Sequence, residues 1–293
     1  MEIKATRGEN IFNVFNLILL SLLTLACLYP LLYVLFAAFS SPNRFFTHYG
    51  ALWHPLGFSL ESFKAVFKNP NILIGYKNTG FVLIIATAIN MVMTIMGGYV
   101  ISRKYLMLRK TVTFLVVFTM YFQGGVIPLY LVTQSLGITD TLWSLIFPVA
   151  INTYNMIIMR TAFMAVPDEM EESAIIDGAS QVRVLVSVMV PLVGPTLAVL
   201  VLYYAVYHWN AYFHAMLFLR SRRLFPLQLI LRGILIENTT SDMTSGASLD
   251  DVGLIAETIK YAVIVVSTVP ILALYPFLQR FFVKGVMIGA VKG

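Results

Sequence analysis

Charge is what this sequence has least of. Only 12% of its 293 residues are Asp, Glu, Lys or Arg, about half the share found in soluble domains. Hydrophobic residues make up 59%, and the mean hydropathy is +0.82. These values exclude a soluble domain and predict an integral, all-α membrane protein. Cysteine is nearly absent as well. Cys27 stands alone in an apolar run, which excludes an intrachain disulfide and reads as a packed thiol. No Gly-x4-Gly-Lys-[Ser/Thr] phosphate loop occurs, nor any Gly-Lys dipeptide, so the chain is not itself a P-loop ATPase. His208 and His214 have no carboxylate beside them, and no cluster of His, Asp or Cys has the spacing of a metal site or a catalytic centre. Catalytic residues, metal ligands and a nucleic-acid partner are therefore not expected. The net charge of +6 fits lipid anchoring and topology.

Long apolar stretches fill the rest. Six of them, at 11–39, 79–101, 111–132, 141–159, 191–219 and 261–279, have the roughly 20 residues needed to cross a bilayer and carry no charge in their interiors. The first is far longer than a signal-peptide core and lacks a cleavage site, so a retained helix is expected. Prolines 30, 128, 148, 195, 270 and 276 fall inside or at the edges of these stretches, where neighbouring helices can satisfy the freed carbonyls. The Gly97-Gly98 and Gly124-Gly125 pairs suit either close helix approach or a kink. The predicted organisation is a polar N-terminus at 1–10, then a six-helix domain over 11–293. Long loops are expected at 40–78, with a short helix near 60–67, and at 220–260. Counting Lys and Arg on the two sides gives eleven against nine. The compact cluster Arg103, Lys104, Arg109 and Lys110 favours a cytoplasmic N-terminus. That places 160–190 and the tail 280–293 inside, and the two long loops outside.

The most patterned stretch runs from Pro167 to Pro191. Pro167 suits a first helical turn, Asp168, Glu169, Glu171 and Glu172 complement the positive end of a helix dipole, and Gly178 is a natural stop. Glu172-Ser173-Ala174, three residues, Gly178, nine residues, Val188, one residue and Val190-Pro191 resembles the EAA loop of ABC-importer permeases, Glu-Ala-Ala-x3-Gly-x9-Ile-x-Leu-Pro. Ser173, Val188 and Val190 depart from it conservatively. Trp209-Asn210, Arg223-Leu-Phe-Pro226-Leu and the ending Gln279-Arg280-Phe281-Phe282-Val283-Lys284-Gly285 are similar to carbohydrate permeases of the maltose-importer type.

The resemblance implies a type I ABC importer permease fold with six transmembrane helices in a bacterial inner membrane. Its implied partners are a second homologous permease, two ATP-binding subunits and an extracytoplasmic solute-binding protein. ATP and Mg would sit on the ATPase, and none on this chain. Glu171, Glu172, Ser173, Ala174, Asp177, Gly178 and Ala179 become the ATPase-coupling candidates, with Glu171 or Glu172 pairing to basic groups of the partner. The implied tail contact starts at Gly285. Within the family, the likeness is to importers of oligosaccharides from plant or algal polysaccharides such as alginate.

Sugars present hydroxyls and apolar ring faces, which amides and aromatic rings can meet. Asn152, Asn155, Tyr203, Tyr207, Trp209, Asn210 and His214 are the candidate substrate path, drawn from a wider set with Asn90, Gln123, Tyr154 and Tyr204. The competing expectation for each is a helix-to-helix hydrogen bond or a place in the interfacial belt. Arg220, Arg222 and Arg223 suit headgroup anchoring, an acidic binding protein or an anionic sugar. The alternative function is an ion-coupled secondary sugar transporter, but that class keeps ionisable groups inside its spans and none is found here.

Overall fold

A computed structural model describes residues 6–236 and 257–273. Met1–Ala5, the 238–250 stretch and the tail 280–293 lie outside the described residues. Among the described residues the chain is helical, with one isolated bridge between Ser40 and Phe58. It divides into two units, residues 1–69 with 233–268 and residues 70–232 with 269–293.

The first unit is built on α1 (Arg7–Ala38), opened by a capping box between Thr6 and Glu9. Pro30 sits within this helix without ending it. The segment after α1 folds back on its last turns through α2 (Pro42–Phe46) and α3 (Glu61–Lys68). Ser40 Oγ donates to the Phe36 carbonyl at 2.7 Å and accepts from the Leu56 amide at 2.9 Å. Ala37, Phe45 and Leu52 form a small core with Tyr33, Phe36, Leu56 and Tyr261. The short helix expected near 60–67 is α3. The loop itself ends at Asn69 and not at 78, because the next helix begins at Pro70, a residue suited to a first turn.

The second unit is organised around that helix, α4 (Pro70–Ser102), which is 33 residues long and so about 50 Å. Then come α5 (Arg109–Tyr121), α6 (Val126–Ser135), two short 3-10 turns at Leu142–Leu145 and Phe147–Val149, and α7 (Thr153–Met164). After these follow α8 (Asp168–Ile176), α9 (Gln181–Val184), a π-turn at Leu185–Met189 and α10 (Val190–Leu192). The unit continues with α11 (Gly194–Asn210) and α12 (Phe213–Phe218), and α13 (Leu227–Ile236) runs out of it. Residues 257–273 form α14.

The six expected crossings are not six straight helices. Among the described residues, α1 and α4 alone are uninterrupted helices long and apolar enough to cross a membrane, and three more candidates are bent pairs. The chain turns by 109° between α5 and α6, by 50° between the 3-10 turns and α7, and by 86° between 181–192 and α11. Each break has a local cause. Gly125 adopts φ +85° and ψ −177°, open essentially only to glycine. Pro148 and Pro195 remove ladder donors near the other two. The expected fifth stretch, 191–219, is therefore α11 with the separate turn α12, and the expected loop 220–260 contains the helix α13. The sixth stretch, 261–279, is helical as far as 273 and otherwise lies outside the described residues.

The two glycine pairs serve different ends. Gly124-Gly125 is the sharp bend. Gly97-Gly98 lies in straight helix, where α7 approaches so closely that a Cβ on Gly98 would stand 2.9 Å from Met159 Cβ and 3.1 Å from the Arg160 amide nitrogen. Gly98→Ala is expected to destabilise the protein by about 1–3 kcal/mol, read as a lowered thermal midpoint in detergent. Gly80→Ala, where no atom lies within 4 Å of the added carbon, should leave that midpoint unchanged or raise it.

Candidate functional site

The acidic stretch folds as a short helix with both ends defined. Pro167 is the N-cap of α8, one residue earlier than expected, and Asp168, Glu169 and Glu171 occupy the first turn. At the other end the Gly178 amide donates to Ile175 O at 2.9 Å and the Ala179 amide to Ala174 O at 3.0 Å. This is a Schellman stop, and Gly178 supplies its left-handed residue with φ +82°. Ala174 and Ala179 pack against the core of Tyr99, Met159, Phe163, Val184, Met189, Val193 and Leu200. Glu172, Ser173, Ile175, Ile176, Asp177 and Gly178 face out, with Ile176 85% exposed.

Glu171 points the other way. Its side chain and that of Arg103 are each only 8% exposed and form an ion pair, Arg103 Nη1 donating to Glu171 Oε2. Arg103 also donates from Nε to Ser102 Oγ at 2.9 Å and from Nη2 to the Phe163 carbonyl at 3.3 Å, and its guanidinium lies 4.8 Å from the Tyr99 ring centre. The Tyr99 hydroxyl stands 3.0 Å from Glu171 Oε1 and 2.9 Å from Gln181 Oε1, and donates to one of them at a time. Tyr105 donates to Gln181 as well, at 3.1 Å. Removing one member of a buried pair of this kind costs about 3–5 kcal/mol, because the other is left unpaired. Alongside it, Lys104 pairs with Asp168 in the open. That hydrogen bond and charge hold the Asp168 carboxyl below the usual carboxylate range, but an exposed pair contributes little to stability.

Elsewhere in the same unit lies a cleft of about 870 Å³. Among the described residues its wall holds Tyr154, Tyr203, Tyr204, Tyr207, Phe122, Phe213 and His214, the amides Gln123, Asn152 and Asn155, and no Asp, Glu, Lys or Arg. Both the Gln123–Gly125 break and the Ile151–Asn152 break open onto it. Irregular backbone at membrane depth is tolerated where it lines a water-filled cavity, so the breaks and the cleft explain one another.

No protein-family model matches the chain. Two curated relatives from Bacillus subtilis (strain 168) do. Protein LplC is 42% identical over 241 residues, covering 82% of this chain and 81% of the relative. The polygalacturonan/rhamnogalacturonan transport system permease protein YtcP is 41% identical over 244 residues, covering 82% and 84%. A putative ABC transporter permease protein from Caldicellulosiruptor, ORF2, is 30% identical over 80% of this chain and 81% of the relative. The chain belongs to the ABC-transporter permease family. A solved bacterial ABC transporter involved in the import of the acidic polysaccharide alginate superposes on this permease with a TM-score of 0.87, at 29% identity over 96% of this chain and 99% of the other.

For this permease, the structure divides the residues expected from sequence. Asn152, Asn155, Tyr203, Tyr207 and His214 come together on the cleft wall. Asn152 also caps α7, accepting from the Asn155 amide at 3.0 Å. Trp209 and Asn210 are not on that wall. Trp209 is buried with Tyr76 at 6.3 Å between ring centres, and Asn210 bonds its own helix at Val206 O. Asn90 is internal too, donating to Val149 O at 2.6 Å and lying 2.7 Å from His208 Nε2. Of the coupling candidates, Glu172, Ser173, Asp177 and Gly178 are presented outward, Ala174 and Ala179 are half-buried, and Glu171 is turned inward to Arg103. In the sequence Arg103 reads as a topology charge only. The signal available was an arginine one turn after Tyr99 at the end of an apolar helix.

Asp140 fixes the start of the Arg220, Arg222 and Arg223 cluster. It accepts from the Arg220 amide at 2.9 Å and from the Ser221 amide and hydroxyl at 2.9 and 2.6 Å. The bonds from Ser221 first, then Arg220, pull its carboxyl down to about 2. A lowered folded-state value stabilises the loop above the ordinary carboxylate pKa of about 3.9 and loses that effect as pH falls through about 2. Protection of the Arg220 and Ser221 amides from hydrogen exchange, taken relative to their intrinsic rates, should therefore hold from pH 7 to about 4 and fall below it. Asp140→Ala should lack that protection throughout.

Proposed function

We propose that this permease is the transmembrane subunit of an ATP-driven, binding-protein-dependent importer of oligosaccharides in a bacterial inner membrane. The observation that carries this is the cleft: its rings and amides, without a formal charge, suit hydroxyls and ring faces held weakly in transit. The named cargoes of the relatives, polygalacturonan and rhamnogalacturonan for one and alginate for the solved transporter, support a carbohydrate and favour an acidic one. The outward-facing arginines would then draw an anionic sugar toward a neutral path.

In this reading the membrane is crossed six times, with the N-terminus cytoplasmic, and a second homologous permease completes the path. Two ATP-binding subunits carry ATP and magnesium and receive α8 in a cleft. The exposed Ile175 and Ile176, the small Ser173 and the carboxylate of Glu172 form the seated face. An extracytoplasmic solute-binding protein delivers the sugar. A solved alginate transporter of the same fold, 16% identical with a TM-score of 0.52, is in complex with a pentasaccharide-bound periplasmic protein. Closure of the ATPases pushes α8 and rocks the spans between inward-facing and outward-facing states.

Two outcomes test the reading. In proteoliposomes with the cognate binding protein, Tyr207→Ala should slow oligosaccharide uptake by about two- to tenfold, the worth of one ring contact at about 0.5–1.5 kcal/mol. Unchanged uptake of both acidic and neutral sugars would remove the cleft from the path, and uptake of neutral sugars alone would remove the acidic cargo. Gly178→Val should abolish sugar-stimulated ATPase in an inserted, assembled importer. A Cβ there meets nothing within 4 Å, so the loss would come from the left-handed backbone that valine resists.

A further inference from the structure

We infer that the Arg103–Glu171 pair is the latch through which the coupling helix moves the cleft wall, with α4 as the connecting rod. The inference rests on the proposal that α8 docks on the ATP-binding subunits. It goes beyond that proposal by naming where the push enters the membrane domain.

The geometry is directional. Covalently, α8 hangs between α7 and α9, entered at Pro167 and left at Gly178. Its one buried polar anchor is Glu171, and the group it grips, Arg103, follows directly on the last residue of α4. The grip is multiple. Arg103 is held at the same time by Ser102 Oγ, the Phe163 carbonyl and the Tyr99 ring, while Glu171 also has the Tyr99 hydroxyl within reach. A guanidinium fork held from several sides has little freedom to re-aim, so a displacement of α8 passes to the end of α4 without being absorbed by side-chain rotation.

From there α4 runs unbroken past the cleft. Thr94 Oγ1 lies 2.7 Å from the hydroxyl of Tyr204, a cleft residue, and both groups are buried. One turn further along, Asn90 bonds the Val149 carbonyl at the 3-10 turn and meets His208 on α11. Val149 also lines the cleft. The distance from Arg103 to Asn90 along the helix is about 20 Å. Every joint on the way is a buried hydrogen bond or a glycine-close helix contact, the kind of packing that shifts as a body between discrete arrangements. Arg103 is on this account a positioning residue. It touches neither sugar nor nucleotide.

The test uses the complete importer in proteoliposomes, with ATP hydrolysed per sugar moved as the readout. Glu171→Gln keeps the size of the side chain and removes its charge. It should leave the ATP-binding subunits co-purifying and raise ATP per sugar by about tenfold, within the range of measured couplings between sites. Arg103→Met should do the same, and Arg103→Lys, which keeps the charge but loses the bonds to Ser102 and the Phe163 carbonyl, should recover only part of the loss. A wild-type ratio in Glu171→Gln overturns the latch. So does detachment of the ATP-binding subunits in that variant, because the pair would then serve only to shape the docking face. A cross-link from Ile176→Cys to an ATP-binding subunit in the otherwise unaltered importer separates the two claims. If no cross-link forms, the docking proposal itself is wrong. If it forms and the ratio in Glu171→Gln stays that of wild type, the latch alone is wrong.

Discussion

A guanidinium and a carboxylate removed from water together are the constraint on which the second unit depends. Each of Arg103 and Glu171 is costly in its buried site without the other, and each is attached to a different part of the fold. Their pairing therefore dictates where α8 lies relative to the end of α4, and the half-buried Ala174 and Ala179 follow it into the core. Small residues are needed there, because the helix must lie flat enough for a short glutamate to reach inward. The outward face is what remains, and it is unusually apolar for a loop, with Ile175 and Ile176 both exposed.

The same economy of buried polar groups explains the interrupted helices. Every break frees amides and carbonyls that lipid cannot satisfy. Two of the three breaks open on the cleft, where water or a polar cargo can reach them, and the carbonyl of Val149 is taken by Asn90. The cleft is thus not a gap left by poor packing. It is where the permease places its irregular backbone, and the tyrosines and amides around it are the side chains such a wall calls for. A wall without formal charge among the described residues also avoids the desolvation cost that an ionised group would incur there.

Some of this was legible in advance. Membrane embedding, the apolar stretches, the helix after Pro167, its stop at Gly178 and the short helix α3 all follow from local rules: composition, dipole, φ preference. Five of the seven candidates, Asn152, Asn155, Tyr203, Tyr207 and His214, line one cleft, and each stands out in the sequence as a polar or aromatic residue in an apolar stretch. Trp209 and Asn210 lie off that wall, which the sequence could not show. They sit at the end of α11, and from sequence a ring or an amide facing the cleft looks the same as one facing Tyr76 or its own backbone. Glu171 and Glu172 were equally indistinguishable, being neighbours of the same type. On a helix, however, they point about 100° apart, and only the position of Arg103, 68 residues earlier, decides which one is buried.

By itself, then, the sequence determined that the chain is an apolar helical membrane protein, that it lacks a phosphate loop, and that residues 167–191 hold an acidic helix and a glycine stop in a pattern that resembles the EAA loop of ABC-importer permeases. These are properties of composition and near-neighbour spacing, which the chain holds before it folds. The tertiary structure decided which stretches run straight and which bend, which polar groups face a cleft and which face each other, and that Arg103 and Glu171 meet. Those outcomes depend on contacts between residues far apart in the chain, and a buried charge or amide takes its meaning only from the group that folding brings opposite it.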